Sequence, residues 1–205
     1  MFLGSIYVLS ARVDILMLGS IKGVEVAGLY MPVSRGAQIL TFVPAAVARV
    51  LAPKVAQTYA AGNLKELRRL MTKSARTIFL ISCPVVVIAI SLSYWYLSLF
   101  GQEFQQGSNS FTILCVGQLV GTLFGLSNIL LNMTGHESQS ALIAGIGVGL
   151  NILLNAIWIP MWGLEGAAMA TSTSLIFVAI AKVWVAKKEL NINPTLFSFQ
   201  QSGKD

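Results

Sequence analysis

The fold class predicted by the sequence is an all-α integral membrane protein of about six transmembrane helices, and three observations carry it. Of 205 residues, 55% are hydrophobic and only 11% charged, with a mean hydropathy of +0.73. Ordinary soluble domains carry roughly 25% charged residues, so this composition cannot cover a water-facing surface. The apolar residues fall in runs close to the ~20 residues that cross a hydrocarbon core. The charges collect in the connections between those runs.

The first run, residues 2–21, is broken by Arg12 and Asp14, and a short Lys22-Gly23-Val24-Glu25 turn follows. The second, residues 27–51, carries Arg35, Gln38 and Arg49 and is bent by Pro44. From Pro53 to Arg76 the chain is polar and basic. There Leu64, Leu67, Leu70 and Met71 recur at helical spacing opposite Lys65, Arg68, Arg69 and Lys73. That pattern predicts an amphipathic helix on the membrane surface. The remaining spans are expected over 77–100, 110–131, 139–159 and 164–186, the fifth ended by Pro160. Tyr94, Trp95, Tyr96, Trp158 and Trp162 suit an interfacial belt. The expected domains are thus 1–52 (two cavity-lining helices), 53–76 (basic amphipathic linker), 77–186 (four helices) and 187–205 (tail).

The formal charge of +6 invites a nucleic-acid reading, but the positions of the charges exclude it. Lys54, Lys65, Arg68, Arg69, Lys73 and Arg76 form one block, and Lys182, Lys187 and Lys188 another. Both blocks flank apolar runs, as the positive-inside rule requires. With the first block in the cytoplasm, alternation places the turns at Lys22, Glu103 and Glu165 outside and both chain ends inside. Met1 leads straight into apolar sequence, which suggests a piece of a longer protein. Cys83 and Cys115 sit in apolar runs and read as small hydrophobes.

A charge at the bilayer centre costs about 2.5–3.5 kcal/mol on insertion scales, so each one needs a partner or water. Arg35, Gln38 and Arg49 share one helical stripe with Met31, Phe42 and Ala45, the pattern of an aqueous cavity wall. Arg49 is near enough to an end to snorkel. Arg12 and Asp14 point in different directions; each either bonds a neighbouring helix or serves transport, and basic residues in a cavity suit an anionic substrate. Asn151 and Asn155 share a face, and Thr171, Ser172, Thr173 and Ser174 interrupt the last span. With Asp14 these offer oxygen ligands to a hard cation such as Na⁺, or else interhelical hydrogen bonds. The Asn132-Met133-Thr134 glycosylation pattern falls on the cytoplasmic side, His136 has no partner cluster, and Gly145, Gly147 and Gly149 read as helix-packing residues. No nucleophile, base or metal constellation of an enzyme appears, and no cofactor is expected.

Several stretches are similar to a known family. Arg12-Val13-Asp14-Ile15-Leu16-Met17-Leu18-Gly19 and Val26-Ala27-Gly28-Leu29-Tyr30 resemble the start of the C-terminal half of polysaccharide flippases. Leu51-Ala52-Pro53 and Phe100-Gly101-Gln102-Glu103-Phe104 agree, as does Asn155 to Pro160 leading into Gly163-Leu164-Glu165-Gly166-Ala167-Ala168. The chain therefore resembles the lipid-linked oligosaccharide flippases of the multidrug and polysaccharide exporter superfamily. The resemblance implies one six-helix lobe of a two-lobe carrier working by alternating access in the bacterial cytoplasmic membrane. The substrate it implies is an undecaprenyl-diphosphate-linked oligosaccharide, with Arg12, Arg35, Gln38 and Arg49 lining the cavity. In related flippases of lipid-linked peptidoglycan precursors a Na⁺ site lies in this lobe, and Asp14, Asn151, Asn155 and Thr171 fall at comparable places. Na⁺ or H⁺ coupling is the matching expectation, although Asn155 stands where a second carboxylate would strengthen the site. Implied partners are membrane lipid, a missing N-terminal lobe or a second copy, and polysaccharide-polymerising machinery. The alternatives are a drug/cation antiporter of the same superfamily, a peptidoglycan-precursor flippase, and a non-transporting assembly subunit.

Overall fold

The structure is a computed structural model that describes residues 13–124 and 126–190. Every regular element among them is helical. Helix α1 occupies residues 13–22, so most of the first expected span, with Arg12, lies outside the described residues, as does the tail from 191 onward. Gly23, at φ 100°, admits the turn into α2 (Val24–Ile39) that a Cβ would strain.

Helix α3 (Phe42–Ala60) follows after a break at Leu40-Thr41. Pro44 explains its position. Proline has no N–H for the carbonyl four residues earlier, Leu40, and its ring crowds that carbonyl. The last turn of α2 tightens accordingly, with Leu40 N–H bonding Ala37 O (3.2 Å) and Thr41 N–H bonding Gln38 O (3.0 Å). The bend expected at Pro44 therefore appears one turn upstream.

The basic segment takes a different form from the separate surface helix expected over 53–76. Helix α3 runs through Pro53 to Ala60, the chain turns over Ala61-Gly62-Asn63, and α4 runs unbroken from Leu64 to Ser91. Gly62 (φ 70°) and the Asn63 side chain, which caps Glu66 N–H at 3.0 Å, form the true boundary. Lys65, Arg68, Arg69, Lys73 and Arg76 lie exposed on the first turns of α4. Leu67, Met71, Ala75 and Ile78 are buried against the rest of the chain.

Helix α5 (Ser93–Ser98) and a 3₁₀ turn (Gln102–Gly107) lead into α6 (Ser108–Phe124) and α7 (Leu126–Met133). Helices α6 and α7 meet at 40°. The last run, α8 (Glu137–Leu190), passes Pro160 and reverses at Gly163 (φ 54°, ψ −121°). Its two arms are therefore each about 40 Å long. Gly166 lies where any Cβ would collide with the Trp158 carbonyl, so the hairpin closes only over glycine. By length and composition, Val24–Ala60, Leu64–Ser91 and Glu137–Leu190 are apolar enough to cross a membrane, and the bent α6–α7 pair makes a fourth.

Two apolar cores stack along the helices. One gathers Leu18, Tyr30, Val33, Leu97, Phe111, Cys115 and Ile159 from α1, α2, α5, α6 and α8. The other gathers Leu51, Val55, Leu67, Met71, Leu130 and Ala186 from α3, α4, α7 and the end of α8. Outside them, large apolar side chains stand uncovered, among them Phe42 (71% exposed) and Leu80 (71%). Such a surface suits lipid or another membrane-embedded unit, not water.

Candidate functional site

The structure gathers Asp14, Asn151, Asn155 and Thr171 into one polar cluster within the bundle. Asp14 is 4% exposed. Its Oδ1 accepts a bond from the Ile15 N–H at 2.9 Å, and the Thr171 hydroxyl reaches its Oδ2 at 3.4 Å. Asn151 Nδ2 approaches Thr171 Oγ1 at 3.4 Å, and Asn155 Nδ2 donates to Asn151 Oδ1 at 3.0 Å. The Asn pair bonds along one arm of α8, as four-residue spacing dictates, and Thr171 comes from the other arm. Of the run from Thr171 to Ser174, only Thr171 joins the cluster. Ser172 bonds Ile113 O, Ser174 bonds Ala170 O, and Thr173 is exposed.

A fifth member was not legible in the sequence. Tyr30 of α2 is fully buried, and its hydroxyl lies against Asp14 and Thr171. Neither that hydroxyl nor Asn155 Oδ1 completes a hydrogen bond among the described residues. The set offers one carboxylate and four neutral oxygens. Among the described residues no group of three or more His, Cys, Asp or Glu side chains forms, so the donors suit a hard monovalent cation better than a transition metal.

The second predicted set lies on the outside of the chain. Arg35, Ala45 and Arg49 are exposed, as are Met31 and Phe42 beside them, while Gln38 is half-buried and donates to Ser34 Oγ at 3.3 Å. The stripe crosses the α2–α3 break and nothing described covers it. Arg12 lies outside the described residues. The two predicted sets are thus separate: one buried between helices, the other on the uncovered face.

Other positions depart from their sequence reading. Lys182, grouped there with the Lys187-Lys188 end, is 4% exposed and donates to Asn128 Oδ1 at 2.7 Å, which also accepts from the Ser140 hydroxyl at 3.1 Å. Thr134 of the glycosylation pattern is buried with its hydroxyl on Leu130 O (2.8 Å), and His136 pairs with it at 3.2 Å. Of the three glycines, only Gly147 packs tightly, against Val178 of the opposite arm. Cys115 is buried and Cys83 half-buried; both are free thiols.

A bundle of apolar helices with polar groups set into its interior is a multi-pass membrane protein of the carrier type. The sequence profile of the MatE family matches residues 1–157, and the chain belongs to that family. It is 24% identical over 184 residues to the "Probable flippase AglR" of Haloferax volcanii, covering 88% of this chain and 39% of that protein. It is 26% identical over 174 residues to the "Putative O-antigen transporter" of Shigella flexneri, covering 84% and 41%. The "Probable low-salt glycan biosynthesis flippase Agl15" of H. volcanii is 27% identical over 165 residues, covering 78% and 34%. The chain spans about two fifths of the length of the first two.

Proposed function

We propose that this chain is one lobe of a carrier that flips a lipid-linked oligosaccharide, an undecaprenyl-diphosphate glycan, across the cytoplasmic membrane by alternating access. The reading is carried by an exposed basic stripe on an apolar membrane bundle whose relatives bear flippase and O-antigen-transporter names. An arginine fork matches phosphate oxygens in two directions, and a cationic wall draws a dianionic diphosphate into a site that the lipid tail never enters. Arg35 and Arg49, with Arg12, act on the headgroup; the chain performs no covalent chemistry.

In this reading the helices make six crossings, the two arms of α8 being the fifth and sixth. The basic start of α4 rests at the cytoplasmic surface, and both chain ends are cytoplasmic. The stripe needs a facing wall, supplied by an N-terminal lobe or a second copy. The Asp14 cluster couples the cycle to Na⁺ or H⁺.

The test uses the protein purified from its own cells with whatever companion it brings, reconstituted with a fluorescent lipid-linked oligosaccharide. A charge-assisted hydrogen bond contributes about 1.5–3 kcal/mol. Arg35→Ala should then raise the KM about 10- to 100-fold. Wild-type protein that exchanges cationic drugs and leaves the glycan lipid in place would make it an antiporter; no transport of either would leave an assembly subunit.

A further inference from the structure

We propose that Tyr30 supplies the fifth oxygen of the Asp14 cluster and is the positioning residue through which Na⁺ in that cluster holds α2. This rests on the reading above that the cluster takes up a cation.

Buried polar atoms almost always find partners, and each exception calls for a cause. Among the described residues four buried side-chain atoms have none: the oxygens of Tyr30, Ser82, Ser110 and Asn155. Ser82 and Ser110 are single hydroxyls on α4 and α6. Tyr30 and Asn155 instead belong to one cluster, beside a carboxylate whose side-chain contact, to Thr171, is 3.4 Å long. A length of 3.4 Å is beyond the usual hydroxyl–oxygen range of about 2.5–3.0 Å. Two orphaned oxygens and two contacts of 3.4 Å beside one buried carboxylate are a set of oxygens whose lone pairs are not committed to one another. One negative charge with neutral oxygens balances a single positive charge, which points to Na⁺ in preference to a divalent ion.

Tyr30 differs from the other four in its position. Asp14 is on α1, while Asn151, Asn155 and Thr171 are on the two arms of α8, joined through Gly163. Only Tyr30 comes from α2, the helix that also carries Arg35. Five residues along a helix turn about 140°, so Tyr30 points into the bundle while Arg35 stands on the uncovered face. An ion that recruits the Tyr30 hydroxyl therefore fixes the helix that presents Arg35 and Gln38. The interaction is local, and it joins the two sites by one rigid element.

Thermal unfolding of the detergent-purified protein in NaCl against choline chloride tests the first part. Wild type should show a saturable rise in Tm with Na⁺, and Asp14→Asn should abolish it. Tyr30→Phe keeps the ring and removes one unsatisfied hydroxyl, so its Tm without Na⁺ should not fall. Its apparent Kd for Na⁺ should rise about tenfold, the equivalent of ~1.4 kcal/mol. In a background with Cys83 and Cys115 replaced, maleimide labelling of Met31→Cys should slow severalfold with Na⁺, and Tyr30→Phe should remove that response. A Tyr30→Phe curve superimposable on wild type, with Asp14→Asn unresponsive to Na⁺, overturns the Tyr30 proposal and leaves the cation reading standing. A wild type indifferent to Na⁺ overturns both. Intact Na⁺ protection of Met31→Cys in Tyr30→Phe overturns the link to α2.

Discussion

Lys182 permits a prediction in which removing a charge strengthens the fold. The residue is 4% exposed, and its ammonium has one hydrogen bond, 2.7 Å long, to the neutral Asn128. Among the described residues no carboxylate pairs with it. Taking an ammonium out of water without a counter-charge costs several kcal/mol. A charge-assisted hydrogen bond returns about 1.5–3 kcal/mol, so the balance is unfavourable by about 1–2 kcal/mol. Lys182→Met retains most of the apolar stem and should therefore raise stability by about that much, or ~2–6 °C in Tm for a chain of this size. Asn128→Leu removes the acceptor at similar volume, strands the ammonium, and should cost about 2–3 kcal/mol. In the double variant most of the second loss should vanish, the remainder being the Ser140 hydroxyl left without its acceptor, giving a coupling of about 1–2 kcal/mol. Tryptophan fluorescence during thermal unfolding in one detergent provides the assay. If Lys182→Met lost more than about 2 kcal/mol, or Asn128→Leu were silent, the ammonium would have to be balanced by a counter-charge or by water and the reasoning would fail.

Two further outcomes follow from backbone geometry. Gly166→Ala sets a methyl against the Trp158 carbonyl and should cost about 1–3 kcal/mol in SDS-titrated unfolding, whereas Gly145→Ala, which meets open space, should be neutral or stabilising. Asn63→Ala removes the cap on Glu66 N–H and should cost about 1 kcal/mol, seen as faster hydrogen exchange confined to the first turn of α4.

Helical class and membrane character were legible because composition alone forces them. The cluster was legible in four of its five members, since Asn151 and Asn155 at a spacing of four and Thr171 after a glycine turn are polar letters in apolar runs. Tyr30 was hidden because an aromatic side chain in such a run looks like core, and its ring is in fact core. Only the position of its hydroxyl beside Asp14 sets it apart. Lys182 was misplaced because a lysine five residues before Lys187-Lys188 reads as interfacial flank; burial by α7 is tertiary information. The basic stretch failed in a related way. Leu67 and Met71 showed a genuine apolar stripe, but a stripe does not say what it meets. Here it meets α3 and α7 of the same chain.

The two helix breaks give the arrangement its logic. Helices α4 and α8 each contribute to both cores, Val86 and Ile78 from one, Ala168 and Ala186 from the other. The chain of α2 and α3 is instead divided at Leu40-Thr41, with α2 in the first core and α3 in the second, and α6 and α7 are divided likewise. Thr171 therefore rides on an arm that ties the two ends together. Tyr30 rides on a segment anchored at one end only. A buried hydroxyl left without a partner at that place costs stability. A fold selected for rigidity alone would carry phenylalanine there. Tyrosine stands there instead, on the one described helix that carries both a member of the buried cluster and Arg35, and that placement is why the proposed response of Arg35 to an ion runs through Tyr30.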